Sequence, residues 1–418
     1  MCQPSPVLRP SPLLLAFAAL LIAAAAPPGQ AEWYRIDGPR GQQVGWQHEP
    51  AESASGMPER VLAYQVAGHE PIRQRLSGAA LLRDPDVPPL KAIAGLIAGQ
   101  APLGNDLTAY SVDQQRSLVV RRSAGRFVAA WWVSRDEAGR IQQVVQPLLG
   151  SDLTYTPVSG PALSQSAIGL PSLPHPMLAS PYNIPPSARR GHMRYGLNLP
   201  APLEGDVPAT SEQAVTHGPD GLVLDICTHC NLPGAARPAD PGEWLRPSRW
   251  IESDAPELRR AVAGIASPRL SGDALMRGLS RVARTRLSGI DYEGHYSARA
   301  AWHRRKGDCT ENAVLLAALA RAAGIPARVA SGLVYDRERY HGTSEAFLPH
   351  AWTLAWIDGR WRSYDISVEG FDATHVALTI GDGDPESITA AWRLAAFMQW
   401  QSLAEVRSSP VPRVAPPR

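Results

Sequence analysis

The chain has 418 residues, room for two or three domains, and its 41 Lys and Arg offset 39 Asp and Glu to a formal net charge of +2. No basic run of five or more residues occurs, so nucleic acid is not an expected partner. Twelve Trp is a high count, but several sit in strand-like stretches such as Trp131-Trp132 and Trp352 to Trp361, where they read as packing residues.

The N-terminus has the pattern of an export signal over residues 1–31. Arg9 precedes an apolar run from Leu13 to Ala26, too short to span a bilayer comfortably, and Gln30-Ala31 offers a cleavage point before Glu32. Cys2 lies ahead of that run, so it is not placed as a lipoprotein cysteine would be, and no other stretch approaches a membrane span. The expected location is periplasmic or secreted, with no transmembrane span after signal cleavage.

Residues 32–156 alternate polar and apolar positions in Trp33–Ile36, Gly41–Trp46, Val61–Val66 and Ser117–Val133. Turn signals at Gly38, Ser123-Ala-Gly125 and Glu137-Ala-Gly139 mark an antiparallel β domain, with a short helix over Ala92–Ala98. Eight prolines between Pro157 and Pro186 predict a linker over 157–190. A small β unit follows at 191–250, with strands at Met193–Leu199 and Leu222–Cys227, and it carries Cys227-Thr-His-Cys230.

Three functional readings of that CxxC stand beside a structural disulfide: a redox dithiol, a zinc site, and a second nucleophile, for which no base and orienter stand at a suitable spacing. In an oxidising compartment the two cysteines are expected to pair as a structural disulfide. A redox dithiol would need a helix opening at the first cysteine, yet Asn231-Leu-Pro-Gly follows. A zinc site would need four ligands, with only His229 and His217 nearby in sequence to join the pair.

The core is expected over 251–405. It opens on helices: Asp254 to Glu257 has the form of a capping box, and Leu275, Leu279 and Val282 give an amphipathic stripe. Glu311 to Ala323 is an Ala- and Leu-rich run closing on Gly324, which puts Cys309 at a helix start, where the dipole and free N–H groups favour negative charge on sulfur. The tail, 406–418, is rich in Pro and Arg and expected to be disordered.

A thiol nucleophile needs an imidazole to move protons and a carboxylate to fix the tautomer of that ring. His350 to Ile357 and Arg360 to Ile366 flank Asp358-Gly359, a strong two-residue hairpin signal that pairs Ile357 with Arg360 and puts His350 and Asp365 on one face. They are diagonal neighbours, roughly 7–8 Å apart between backbones, a gap their side chains can bridge. Asp358, in the turn, lies on the order of 25 Å from His350 at about 3.3 Å per residue, so it cannot serve.

Four segments carry a resemblance: Arg305-Lys-Gly-Asp-Cys-Thr-Glu311, Ala322-Ala-Gly-Ile-Pro-Ala-Arg-Val329 with Ser331-Gly332, His350-Ala-Trp352, and Asp358-Gly-Arg-Trp361 leading to Asp365. Together they resemble the transglutaminase-like core of the papain-like thiol superfamily, over about Trp244 to Glu386. The resemblance implies an α+β fold, a helical lobe with the active-site helix packed on an antiparallel sheet, and Cys309, His350 and Asp365 as nucleophile, base and orienting acid. It also implies thiol chemistry on an amide of a peptide or protein substrate, by hydrolysis or acyl transfer, with no metal or organic cofactor. The alternative expectation is a non-catalytic peptide-binding module of the cell envelope on the same fold. A weaker third reading makes the N-terminal β domain the functional part.

Overall fold

The computed structural model describes residues 33–50, 57–66, 71–100, 106–159, 170–218, 221–235, 240–265, 270–291, 294–337 and 344–407. The expected signal segment and all but the first two residues of the tail lie outside these.

The first layer is a ten-stranded sheet. It takes β1 (Trp33–Asp37), β2 (Gln43–His48), β3 (Glu59–Val66) and β4 (Ile72–Ser77), then, after two short helices α1 (Gly78–Arg83) and α2 (Leu90–Ile97), β5 (Leu107–Ser111), β6 (Arg116–Ser123), β7 (Arg126–Arg135), β8 (Ile141–Gln146) and β9 (Leu153–Val158). The hairpins follow from the turn residues: Ala124 and Gly125 both hold positive φ between β6 and β7, the backbone twist a two-residue turn needs. Leu62, Val119, Trp131 and Tyr155 are buried beneath this layer with Leu90 and Ile93 of α2.

Residues 157–190 are not a plain linker. β10 (Ser172–Leu173) adds in parallel to the end of β3 at Gln65 and Val66, and β11 (Leu178–Ala179) adds to the sheet of the core, while α3 (Pro186–Arg189) is one helical turn begun by proline. Proline is tolerated both at a helix start and beside such short edge pairings, so a high proline count did not prevent docking.

The unit 191–250 is likewise joined to the core. β12 (His192–Asn198), then α4 (Ala201–Glu204), β13 (Gln213–Gly218) and β14 (Gly221–Cys227) form a sheet whose fourth member, β19 (Gln399–Glu405), comes from the far end of the core. Its buried face, Tyr195, Leu224 and Ile226, shares one apolar cluster with Leu118 and Phe127 of the first sheet and Leu333, Phe347 and Leu394 of the core.

The core brings helices α5 (Pro256–Ala263), α6 (Gly272–Arg286), α7 (Ala298–Arg304) and α8 (Cys309–Ala322), then strands β15 (Ala327–Asp336), β16 (Ala346–Ile357), β17 (Arg360–Tyr364) and β18 (Val376–Gly381) and helix α9 (Pro385–Ala395) ahead of β19. The cap expected at Asp254 is absent: α5 starts one residue later, with Pro256 at its first position, so the N-cap falls on Ala255, whose side chain has no acceptor. In the sheet β16 lies beside β15, which lies beside β18, and β17 forms an edge on β16. The architecture is α+β, with largely antiparallel β layers ahead of a helix-on-sheet core. Gly332 of β15 is required by sheet spacing, since a Cβ there would fall 1.9 Å from the Val376 carbonyl oxygen of β18.

Candidate active site

Helix α8 is buried on every face: Ala313 through Ala320 are almost fully excluded from solvent, clasped by α5, α6 and α7 on one side and β15 and β16 on the other. Cys309 is its first residue. The preceding Asp308 caps it, accepting from Thr310 N at 2.7 Å, while Glu311 reaches back to accept from Asp308 N at 3.1 Å, the reciprocal pair of a capping box. Glu311 also accepts from Tyr296 N at 2.9 Å, and Gly307 leaves the space it fills, since a Cβ there would lie 2.5 Å from Glu311 Cβ. The sequence holds this signal too, Asp-x-x-Glu before an apolar run, a marker of the helix start that the apolar run by itself does not supply.

The hairpin has the two-residue form. Asp358 and Gly359 both have positive φ, Ile357 pairs with Arg360, and Thr353 pairs with Tyr364. One residue past the end of β17, Asp365 Oδ2 accepts from His350 Nε2 at 2.6 Å, with both side chains buried. Thr353 Oγ1 donates to the Ala313 carbonyl of α8 at 2.9 Å, and Asn312 Nδ2 donates to Ser367 Oγ at 3.1 Å, so strand, loop and helix are locked together around Cys309.

Cys309 is a free, half-buried thiol beside the His350 ring. Burial works against an imidazolium at His350, yet the Asp365 carboxylate and the Cys309 sulfur outweigh it and hold the ring's pKa up to about 10. Burial likewise opposes a charge on Asp365, but the two imidazoles facing it hold its carboxyl well below the usual carboxylate range.

The second of those imidazoles has no counterpart in the sequence expectations. His375, fully buried ahead of β18, places Nε2 at 3.0 Å from the same Asp365 oxygen, and its other nitrogen faces Asp372 Oδ1 at 3.2 Å. A lone Asp-Ala-Thr-His tetrapeptide carries no periodic signal, so only the tertiary fold could have placed it beside Asp365.

The remaining candidates lie elsewhere. Cys227 and Cys230 are joined by a disulfide with Cα atoms 5.4 Å apart. The histidine that the fold brings to this pair is His192, opposite Cys227 in register, and not His217, which pairs with Glu204. His192 Nε2 is already engaged with Asp225 Oδ1 at 2.9 Å. Two groupings among the described residues have the donor types a metal takes, His192 with Cys227 and Cys230, and His350 with Asp365 and His375. In the first the sulfurs are spent in the disulfide. In the second the nitrogens stand 2.6 and 3.0 Å from the carboxylate oxygen, closer than the roughly 3.3 Å between ligands about 2.0 Å from a tetrahedral zinc. Neither set fits an ion as it stands.

Residues 264–366 match the model of the transglutaminase-like superfamily. No curated protein matches the chain. Among solved structures it is similar to one described as a cysteine-protease candidate from Cytophaga hutchinsonii, at 15% identity over 54% of this chain and 89% of that one, with a TM-score of 0.30. It is also similar to the periplasmic domain of TgpA from Pseudomonas aeruginosa, at 15% identity over 64% of this chain and 94% of that one, again with a TM-score of 0.30. With the match covering the thiol, the imidazole strand and the hairpin as far as Ile366, the chain carries a transglutaminase-like core domain of the transglutaminase-like superfamily.

Proposed function

We propose that this protein is an exported thiol enzyme that acts on an amide of a peptide or protein through an acyl-enzyme on Cys309. The observation that supports this most is the hydrogen bond from buried His350 to buried Asp365 beside a free thiol at the first position of a capped helix. The Asp365 carboxylate and the Cys309 sulfur hold the His350 pKa up to about 10, which favours an imidazolium beside the sulfur.

Cys309 Sγ attacks the substrate carbonyl carbon, forming the C–S bond as the carbonyl π electrons move onto oxygen. The oxyanion is offered the N–H of Cys309 at the helix start. His350 gives its proton to the nitrogen of the leaving amine as the C–N bond breaks. Water or a second amine then attacks the thioester, losing a proton to His350, and the sulfur leaves as thiolate. Asp365 holds His350 with its Nε2–H toward the carboxylate, which turns the other ring nitrogen to the thiol. The chemistry draws on no metal or organic cofactor.

Export rests on the apolar segment at the N-terminus. No described helix is long and apolar enough to cross a membrane. The test of function is a peptide library with and without an added primary amine, read by mass, on the wild type and Cys309→Ala. Products formed by the wild type and abolished in Cys309→Ala support the enzyme, and equal product from both refutes it.

A further inference from the structure

Asp365 is shared. An ionised carboxylate only accepts, so both rings that face Asp365 Oδ2 through Nε2 must carry a proton on that nitrogen, His350 at 2.6 Å and His375 at 3.0 Å. The other carboxylate oxygen accepts from Ser367 N at 2.7 Å. Behind His375 the chain of contacts continues: its Nδ1 faces Asp372, whose Oδ1 accepts from Thr374 N at 2.9 Å and whose Oδ2 accepts from Arg189 Nε at 2.7 Å. Arg189 of α3 also offers its carbonyl to Ala373 N at 2.7 Å, so the loop bearing Asp372 and His375 is held at two points by one residue.

We propose that His375 is a positioning residue of the thiol site, sharing the Asp365 oxygen with His350 and thereby setting how strongly Asp365 holds the proton on His350. This rests on the reading of Cys309 and His350 as a working pair. The charged groups that face His375 are Asp365 after β17, His350 on β16, Asp372 in its own loop and, through Asp372, Arg189 on α3. The rest of its wall is aromatic: Trp352 lies edge-on at 5.1 Å between centroids and Phe371 at 5.0 Å. Two donors on one oxygen weaken each other's hold, because electron density given to one proton is withheld from the second. A neutral His375 acts this way through its hydrogen bond alone, and a charged one adds repulsion of the His350 imidazolium; both push in the same direction. Burial opposes charge on His375 while Asp365 and Asp372 favour it and hold its pKa up to about 9; Asp372 N also donates to its Nδ1 at 3.1 Å, a bond only the neutral ring accepts, so the shared hydrogen bond to Asp365 carries the effect without the charge.

The test is the rate of Cys309 alkylation by iodoacetamide across pH 5 to 11, read by peptide mass on the folded protein. On the working-pair reading, the rate steps at high pH where His350 loses its second proton. In His375→Ala that step should move up by about one pH unit, since Asp365 then serves His350 alone. His375→Gln, which keeps a donor but no charge, should move it up by less. No shift, or a downward shift, in either folded variant overturns the proposal, and if His375→Ala does not fold the Gln variant decides. His350→Ala separates the two claims: if the step persists there, the working-pair reading has failed and the proposal falls with it, whereas a step lost in His350→Ala but unmoved in both His375 variants defeats the proposal alone.

Discussion

The two sides of β17 hold two buried carboxylates whose pKa values are pushed in opposite directions. Asp365, just past the inner end, faces His350 and His375 and is held ionised. Glu212 lies along the outer edge, where Glu212 Oε2 accepts from Ser363 N at 2.8 Å and Ser211 Oγ accepts from Trp361 N at 3.0 Å, closing an edge that would otherwise be open. Burial pushes the Glu212 carboxyl up to about 7 despite that N–H and the nearby Arg362 and Arg360. Burial alone raises a carboxyl's pKa, and at Asp365 the two imidazoles in direct contact reverse the sign. One strand thus separates a fixed charge fit for orienting a base from a carboxyl poised to titrate.

The sharpest way to break the comparison is Asp365→Asn. The amide keeps the shape but turns a donor or a neutral acceptor toward His350, so turnover should fall by about four orders of magnitude at unchanged fold, read as kcat/KM on whichever peptide the library yields. Near-normal turnover would mean the ionised side of β17 has no part in chemistry.

Glu212→Gln tests the other side. The folded protein binds this proton more tightly than the unfolded chain, 7 against an ordinary 4.5, so its contribution to stability is complete below about 4.5 and is lost as pH rises through about 7. The gap corresponds to on the order of 3 kcal/mol. Urea unfolding from pH 4.5 to 8 should show wild-type stability declining, and the decline should be smaller by about that amount in Glu212→Gln. Glu311, held up to about 7 chiefly by burial, contributes a slope of the same sign that the variant leaves in place. The Asp365–His350 contact adds to the decline at the top of this range: its contribution is complete below the ordinary imidazole value of 6.5 and is lost progressively from there as pH rises through about 10, and on the acid side it is lost as pH falls below the ordinary carboxylate range; the variant leaves it in place.

A smaller effect is expected from Thr353→Val, which strips the donor from the Ala313 carbonyl where β16 meets α8. Losing that buried hydrogen bond, while the Ala313 carbonyl keeps its helical partner, should cost about 1 kcal/mol in urea unfolding. No measurable loss would mean the helix and the strand are registered by packing alone.

What could be read from the sequence was local. Asp358-Gly359 states its own turn, and the parity of a two-residue hairpin then carries His350 and Asp365 to one face. Gly324 ends α8 with a φ of 80° as a helix C′ residue does. The second histidine was not legible, because His375 reaches Asp365 only after β18 has crossed to pair with β15. The outer edge was equally hidden: Ser211 and Glu212 meet β17 from a segment about 150 residues away in the chain, a separation that no window of residues spans. Proline counting misled at 157–190, where α3 delivers Arg189 to Asp372.

The central claim, a thiol activated by its imidazole, is tested most directly by timed iodoacetamide labelling of the folded protein at pH 6, where an ordinary cysteine is only about 0.3% thiolate. Cys309 should label at least about tenfold faster than that fraction allows, with Cys227 and Cys230 unlabelled, and His350→Ala should bring the rate down toward the ordinary value. Labelling of Cys309 at the ordinary rate, unchanged by His350→Ala, would contradict the account.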